Sequence, residues 1–167
     1  MLEMKVLILY FSMTGRTKRI AESIAEGLSS TDVHIERIEY TKKVRDLLNE
    51  KEDIKKGDLS NFIYAENIKD LESYDLIFFG TPTYGAQPPA VFEGYLEIAK
   101  NINGKSFVVF NTCRFIAGTI LERMQAEIEK KGGRVVNKRI FKGFFRIKMT
   151  KVKNFVEELN QQLVKRN

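Results

Sequence analysis

The chain has 167 residues, 43% of them hydrophobic and 30% charged, with a formal net charge of +6. That length and balance suit one soluble globular domain, 1–167, with a real core, and no apolar run is long enough to span a bilayer. A single cysteine, Cys113, excludes an intrachain disulfide and a multi-cysteine metal site, and the lone His34 excludes a cluster of histidine ligands.

Hydrophobic periodicity predicts strands alternating with helices. A first strand covers residues 4–11 and runs through a hydroxyl-rich turn into a helix with Ile20, Ile24 and Leu28 on one face. A second strand is expected over 33–40, where His34 reads as a half-exposed strand residue. The mixed segment 41–74 puts Val44, Leu47 and Leu48 on a helical face before a Lys/Asp/Gly-rich stretch. Residues 75–80 are apolar on both faces, as a strand in a parallel sheet covered on both sides requires. Val91, Phe92, Tyr95, Leu96 and Ala99 then recur at helical spacing.

A fourth strand is expected over 105–111, and a helix over 117–131 with Ile120, Leu121, Met124 and Ile128 inward, closed by Gly132-Gly133. The fifth strand covers 134–141, with Gly143-Phe144-Phe145 as an extension of it. A last helix runs from residue 150, with Val152, Phe155, Val156, Leu159 and Leu163 on one face. Five strands alternating with helices imply an α/β fold: a parallel sheet wound on both faces in three α/β/α layers.

In such a sheet, ligands bind beyond the carboxyl ends of the strands, and three unusual loops fall there. The first is Ser12, Met13, Thr14, Gly15, Arg16 and Thr17. Its hydroxyls, together with N–H groups left unpaired at a helix N-terminus, suit a phosphate. The second, 80–89, includes Thr81, Pro82, Thr83, Tyr84 and Gly85, with Tyr84 offering an aromatic face. The third is Asn111, Thr112, Cys113, Arg114 and Phe115.

Ser-x-Thr-Gly-x-Thr after a first strand resembles the FMN phosphate loop of flavodoxins, and Gly-Thr-Pro-Thr-Tyr-Gly is similar to the second flavin-contacting loop of that family and of flavodoxin-like reductases. The resemblance implies a flavodoxin-like doubly wound five-stranded sheet of order 2-1-3-4-5. It also implies FMN as cofactor, bound by the three loops. The phosphate would lie on 12–17, the ring between Tyr84 and Phe115, and the pyrimidine edge against backbone near Thr83, Gly85 and Cys113. The third loop departs from the acidic, aromatic pattern of many flavodoxins by carrying Arg114, whose charge would favour full reduction of the flavin. Cys113 itself reads as a packing residue.

The resemblance implies electron transfer between a reductase or ferredoxin-type partner and an acceptor. Its alternative is an FMN oxidoreductase acting on a quinone, porphyrinogen or other small molecule. No side chain stands out as a general acid or base. The absence of a leader pattern in the first strand sets a cytoplasmic expectation.

Competing phosphate motifs fail on their residues. A Rossmann turn needs three glycines where only Gly15 stands, and Gly104-Lys105-Ser106 has Ala99 where a P-loop needs glycine. A response-regulator receiver needs acids at the end of the first strand, which ends here in Phe11-Ser12. Charge is uneven: residues 130–167 hold twelve Lys or Arg against two acids, and 1–129 hold sixteen against twenty. The basic end suits an acidic, ferredoxin-like redox partner. Its lysines and arginines interleaved with Phe141, Phe144 and Phe145 also define the alternative of another class, a nucleic-acid binder, although no recognised motif accompanies them.

Overall fold

The computed structural model describes residues 3–29, 31–85 and 87–166. Ala86, inside the second loop, lies outside them. Strands β1 (Met4–Phe11), β2 (Thr31–Tyr40), β3 (Phe62–Ile63), β4 (Leu76–Pro82), β5 (Ser106–Cys113) and β6 (Arg134–Lys142) form one sheet of order β3-β2-β1-β4-β5-β6. Five are parallel neighbours, with Ile8 opposite both Ile35 and Phe78, and Phe78 opposite Val108.

The five-strand expectation therefore needs one correction. β3 pairs antiparallel with β2 at Glu39↔Ile63 and Tyr40↔Phe62, capping that edge. Without it, the order is the expected 2-1-3-4-5. Two residues are too few for a period-2 pattern to register.

Six α-helices are present among the described residues, besides a 3-10 turn at Glu66–Lys69: α1 (Arg16–Gly27), α2 (Val44–Asn49), α3 (Lys51–Lys55), α4 (Ala90–Ile98), α5 (Ile120–Lys130) and α6 (Met149–Val164). Side chains alternate across a strand, so each central strand feeds two cores. Leu7, Leu9, Ile77, Phe79, Phe107 and Val109 face α4 and α5 in one. Val6, Ile8, Tyr10, Phe78, Val108 and Phe110 face α1 and α6 in the other. That division makes three layers.

Two expectations about exposure fail. In α2 only Leu47 is buried, while Val44 and Leu48 face solvent, because six residues turn a single side inward. β6 stops at Lys142, so Phe141 is core but Phe144 and Phe145 leave the sheet and stand exposed. His34 bridges Tyr74 (Nδ1 to the hydroxyl, 2.6 Å) and Glu36 (Nε2 to Oε1, 2.7 Å), a structural role on β2.

Candidate functional site

The carboxyl ends of β1, β4 and β5 open into one cleft of about 470 Å³, within the range of small-molecule sites. Residues from all three predicted loops line it: Ser12, Met13, Thr14, Arg16 and Thr17; Pro82, Thr83, Tyr84 and Gly85; Thr112, Cys113, Arg114 and Phe115. Ile116 joins them, a residue the motifs did not signal.

Gly15 caps α1 at φ +87°, a left-handed conformation that favours glycine. The Gly15 N–H donates to Ser12 Oγ at 3.1 Å, which folds the turn on itself. The Ser12 hydroxyl hydrogen remains free to donate. The amides of Thr14, Arg16, Thr17 and Lys18 reach no backbone or side-chain acceptor among the described residues, so the turn presents a group of N–H donors at the positive end of a twelve-residue helix. This arrangement fits a phosphate.

Thr17 and Thr112 lie beneath the turn, their hydroxyls 2.8 Å apart. One hydroxyl must donate to the other, which leaves a single O–H of the pair available to a ligand. Arg16, expected at the phosphate, instead turns its guanidinium toward the end of the sheet. It donates to the carbonyls of Cys113 (3.4 Å), Phe144 (3.3 Å) and Gly143.

The second loop is a tight turn in which Tyr84 and Gln87 exchange N–H···O=C bonds of 3.3 and 3.1 Å, with Gly85 at φ +58°. The Tyr84 backbone is thus occupied, and the ring rather than the main chain is what the residue offers. The ring packs edge-on against Phe11, centroids 6.5 Å apart, and burial pushes its hydroxyl up to about 12. Thr83 Oγ1 donates to Asn111 Oδ1 at 2.8 Å or to the Thr112 carbonyl at 3.1 Å.

Thr81 and Asn111 were expected to touch the ligand, but both are fully buried behind the cleft. Asn111 Nδ2 donates to the carbonyls of Thr81 and Pro82, each at 3.0 Å, and so fixes the end of β4 against β5. They position the loops. The strand also runs two residues further than expected, so Thr112 and Cys113 join Asn111 in β5 and the third loop proper starts at Arg114. The Cys113 carbonyl already accepts from Gly143 N–H at 3.0 Å as well as from Arg16, so it has little capacity left for a ligand edge. Its thiol is buried, and desolvation raises its pKa more than the Lys142 and Arg16 charges lower it. That describes an inert thiol at neutral pH.

Among the described residues no Asp, Glu, His or Lys lines the cleft, and its formal charges are Arg16 and Arg114. Among the described residues no group of acidic, histidine or cysteine side chains is suited to hold a metal ion, and no helix is long and apolar enough to cross a membrane.

Comparison with known proteins agrees with this geometry. The chain resembles a flavodoxin from Clostridium saccharobutylicum, 29% identical over 118 residues; the match takes in 69% of this chain and 59% of that protein's length. Among solved structures it superposes on a flavoprotein of Lactobacillus acidophilus in complex with FMN (TM-score 0.58, 17% identity, 82% of this chain and 93% of that one). It also superposes on the flavodoxin of Streptococcus pneumoniae (TM-score 0.61, 18% identity, 95% and 99%). At those identities the structures establish the shared fold. A model of the flavodoxin family matches residues 5–159, from the first strand to the last helix and across all three loops, and on that match the chain belongs to the flavodoxin family.

Proposed function

We propose that the chain binds FMN in this cleft and works as an electron carrier between redox proteins. The observation that carries the reading is the convergence of the open amides before α1 with the Tyr84 ring in a single cleft. The FMN complex of a protein with the same fold supports the choice of cofactor.

On this reading the amides of Thr14, Arg16, Thr17 and Lys18 and the hydroxyl of Ser12 bind the phosphate, helped by the α1 dipole. Tyr84 and Phe115 offer the ring its aromatic faces. Thr83 and Gly85 supply backbone at the pyrimidine edge, while Thr81 and Asn111 hold those loops in place. Bound FMN supplies the reducible ring, which takes up and releases electrons.

A carrier is favoured over an enzyme by what the cleft lacks. Its ionisable groups other than arginine are Tyr84 and Cys113, both shifted further from neutrality by burial. Neither is poised for proton transfer near pH 7.

The test is a fluorescence titration of the flavin-stripped protein with FMN and with riboflavin. Binding of FMN at least about tenfold tighter than riboflavin, or ~1.4 kcal/mol, is the expected result for a phosphate held by charge-assisted bonds. Equal affinities would remove the first loop from the site, and no binding of either would end the flavin reading.

A further inference from the structure

Beside the cleft, the turns that follow β5 and β6 hold four large apolar side chains in water. Phe145 is 90% exposed, Ile116 73%, Phe115 61% and Phe144 49%. The three phenylalanines form a connected group: the Phe115 and Phe144 rings are 5.0 Å apart, and Phe144 meets Phe145 edge-on at 4.5 Å. Exposed apolar surface of this extent on a folded chain marks a contact surface. Arg16 fixes it in advance by holding the carbonyls of Gly143 and Phe144, so little order remains to be imposed on docking.

Charge indicates the partner. Arg114, Lys142, Arg146 and Lys148, each within three residues of one of these phenylalanines in the chain, are exposed, and none has an ion-pair partner among the described residues. Residues 98–121 and 130–156, which include both turns, contain no Asp or Glu. Of the acids that flank these stretches, Glu97 pairs with Lys131 and Glu122 with Lys138, and Glu158, one position beyond Glu157, pairs with Arg139. An apolar, aromatic group flanked by exposed cations without ion-pair partners has the composition of a docking surface. Phe145 stands out from the surface, whereas a small aromatic substrate would need a concave site.

We infer that this aromatic and basic surface docks an acidic protein at the mouth of the cleft. The inference rests on the electron-carrier reading for its purpose; Arg114, Phe115 and Ile116 also line the cleft, whereas the residues substituted in its test, Lys142, Phe145, Arg146 and Lys148, are not part of that lining. The cations steer the partner by long-range attraction, and the four apolar side chains then supply the short-range contact.

The test measures binding of the FMN-loaded protein to a small acidic [2Fe–2S] ferredoxin by titration calorimetry, with basic cytochrome c as the opposite probe. Ferredoxin should bind at low salt and weaken about tenfold or more at high salt, as expected for steered association, while cytochrome c stays unbound. The variant Lys142→Glu/Arg146→Glu/Lys148→Glu should lose that binding. Phe145→Ser, which removes a side chain already in water, should weaken it several-fold and leave the salt dependence intact.

Four results would overturn the inference: no ferredoxin binding at low salt, undiminished binding by the charge-reversed variant, a preference for cytochrome c or a single-stranded oligonucleotide, or a dimer of this chain that Phe145→Ser dissolves. The absorbance of bound FMN is followed in the same samples. Loss of FMN with ferredoxin binding retained would reject the flavin reading alone.

Discussion

Thr17, in the first turn of α1, and Thr112, near the end of β5, share a buried hydrogen bond of 2.8 Å across 95 residues of sequence. It joins the turn that precedes α1 to the strand that carries the third loop. Thr17→Val keeps the shape but leaves the Thr112 hydroxyl buried without its partner, which should cost about 1–3 kcal/mol of stability. Thr17→Val/Thr112→Val removes both polar groups and should recover much of that loss. Urea denaturation of the two single variants and the double closes the cycle. Additive losses would mean that the two hydroxyls are independent.

Arg16 should behave as a clamp and not as a phosphate ligand, since its guanidinium donates to the carbonyls of Cys113, Gly143 and Phe144. Arg16→Ala is expected to lower stability by about 1.5–3 kcal/mol, the scale of hydrogen bonds to a charged group. Amides of residues 143–147 should exchange faster with solvent in that variant. Arg16→Lys should restore only part of the protection, because an ammonium lacks the planar fork that reaches several carbonyls together. If the role is positional, FMN and riboflavin should lose affinity equally. A loss confined to FMN would show that Arg16 contacts the phosphate directly.

What the sequence discloses about this molecule depends on the range of the interaction. The turn from Ser12 to Thr17 is legible because a β-strand, a glycine and a helix start are local features, and the fold keeps them where the motif puts them. The doubly wound core is legible for the same reason, since runs such as Leu76–Phe79 are apolar on both faces. Asn111 is different. Its type and position suggest a ligand contact, and only the β4–β5 register shows that its amide is used up by Thr81 and Pro82. Phe144 and Phe145 read as a continuation of β6 until the carbonyls of Gly143 and Phe144 are found on Arg16, which draws the chain out of the sheet.

Glu50 should govern part of the acid limb of stability. It accepts from the Tyr40 hydroxyl and from Asn61 Nδ2, each at 3.0 Å, and pairs with Lys42, tying β2 to the segment that leads into β3. Lys42 foremost, with Tyr40 and Asn61, holds its carboxyl below the usual carboxylate range. A carboxylate with a depressed folded-state pKa contributes stability above its unfolded-state value and loses it as pH falls through the folded-state value. Glu50→Gln should therefore be less stable than the wild type near neutrality, and the two should converge below about pH 4, the region where a free glutamate protonates. Thermal melts of both proteins across that range decide it; a constant gap at every pH would exclude the linkage.

Arg114 is the charge best placed to act on the electronic state of a bound flavin. It lines the cleft and is exposed, and among the described residues it has no ion-pair partner and no carboxylate lines the same cleft. Arg16, the other cation there, spends its donors on backbone carbonyls. A positive charge stabilises the more negative, fully reduced cofactor over the oxidised one, so it raises the potential of the second electron. Arg114→Ala in the FMN-loaded protein should lower that potential and leave the first less affected. The change should stay within about 1 kcal/mol, because an exposed cation is largely solvated. It should also shrink toward 1 M salt, where charges are screened over ~3 Å. Spectroelectrochemical titration of both proteins at low and high salt gives the two potentials. An unchanged second potential at low salt would mean that Arg114 faces solvent and not the flavin, and a shift that ignores salt would point to altered packing of the third loop and not to its charge.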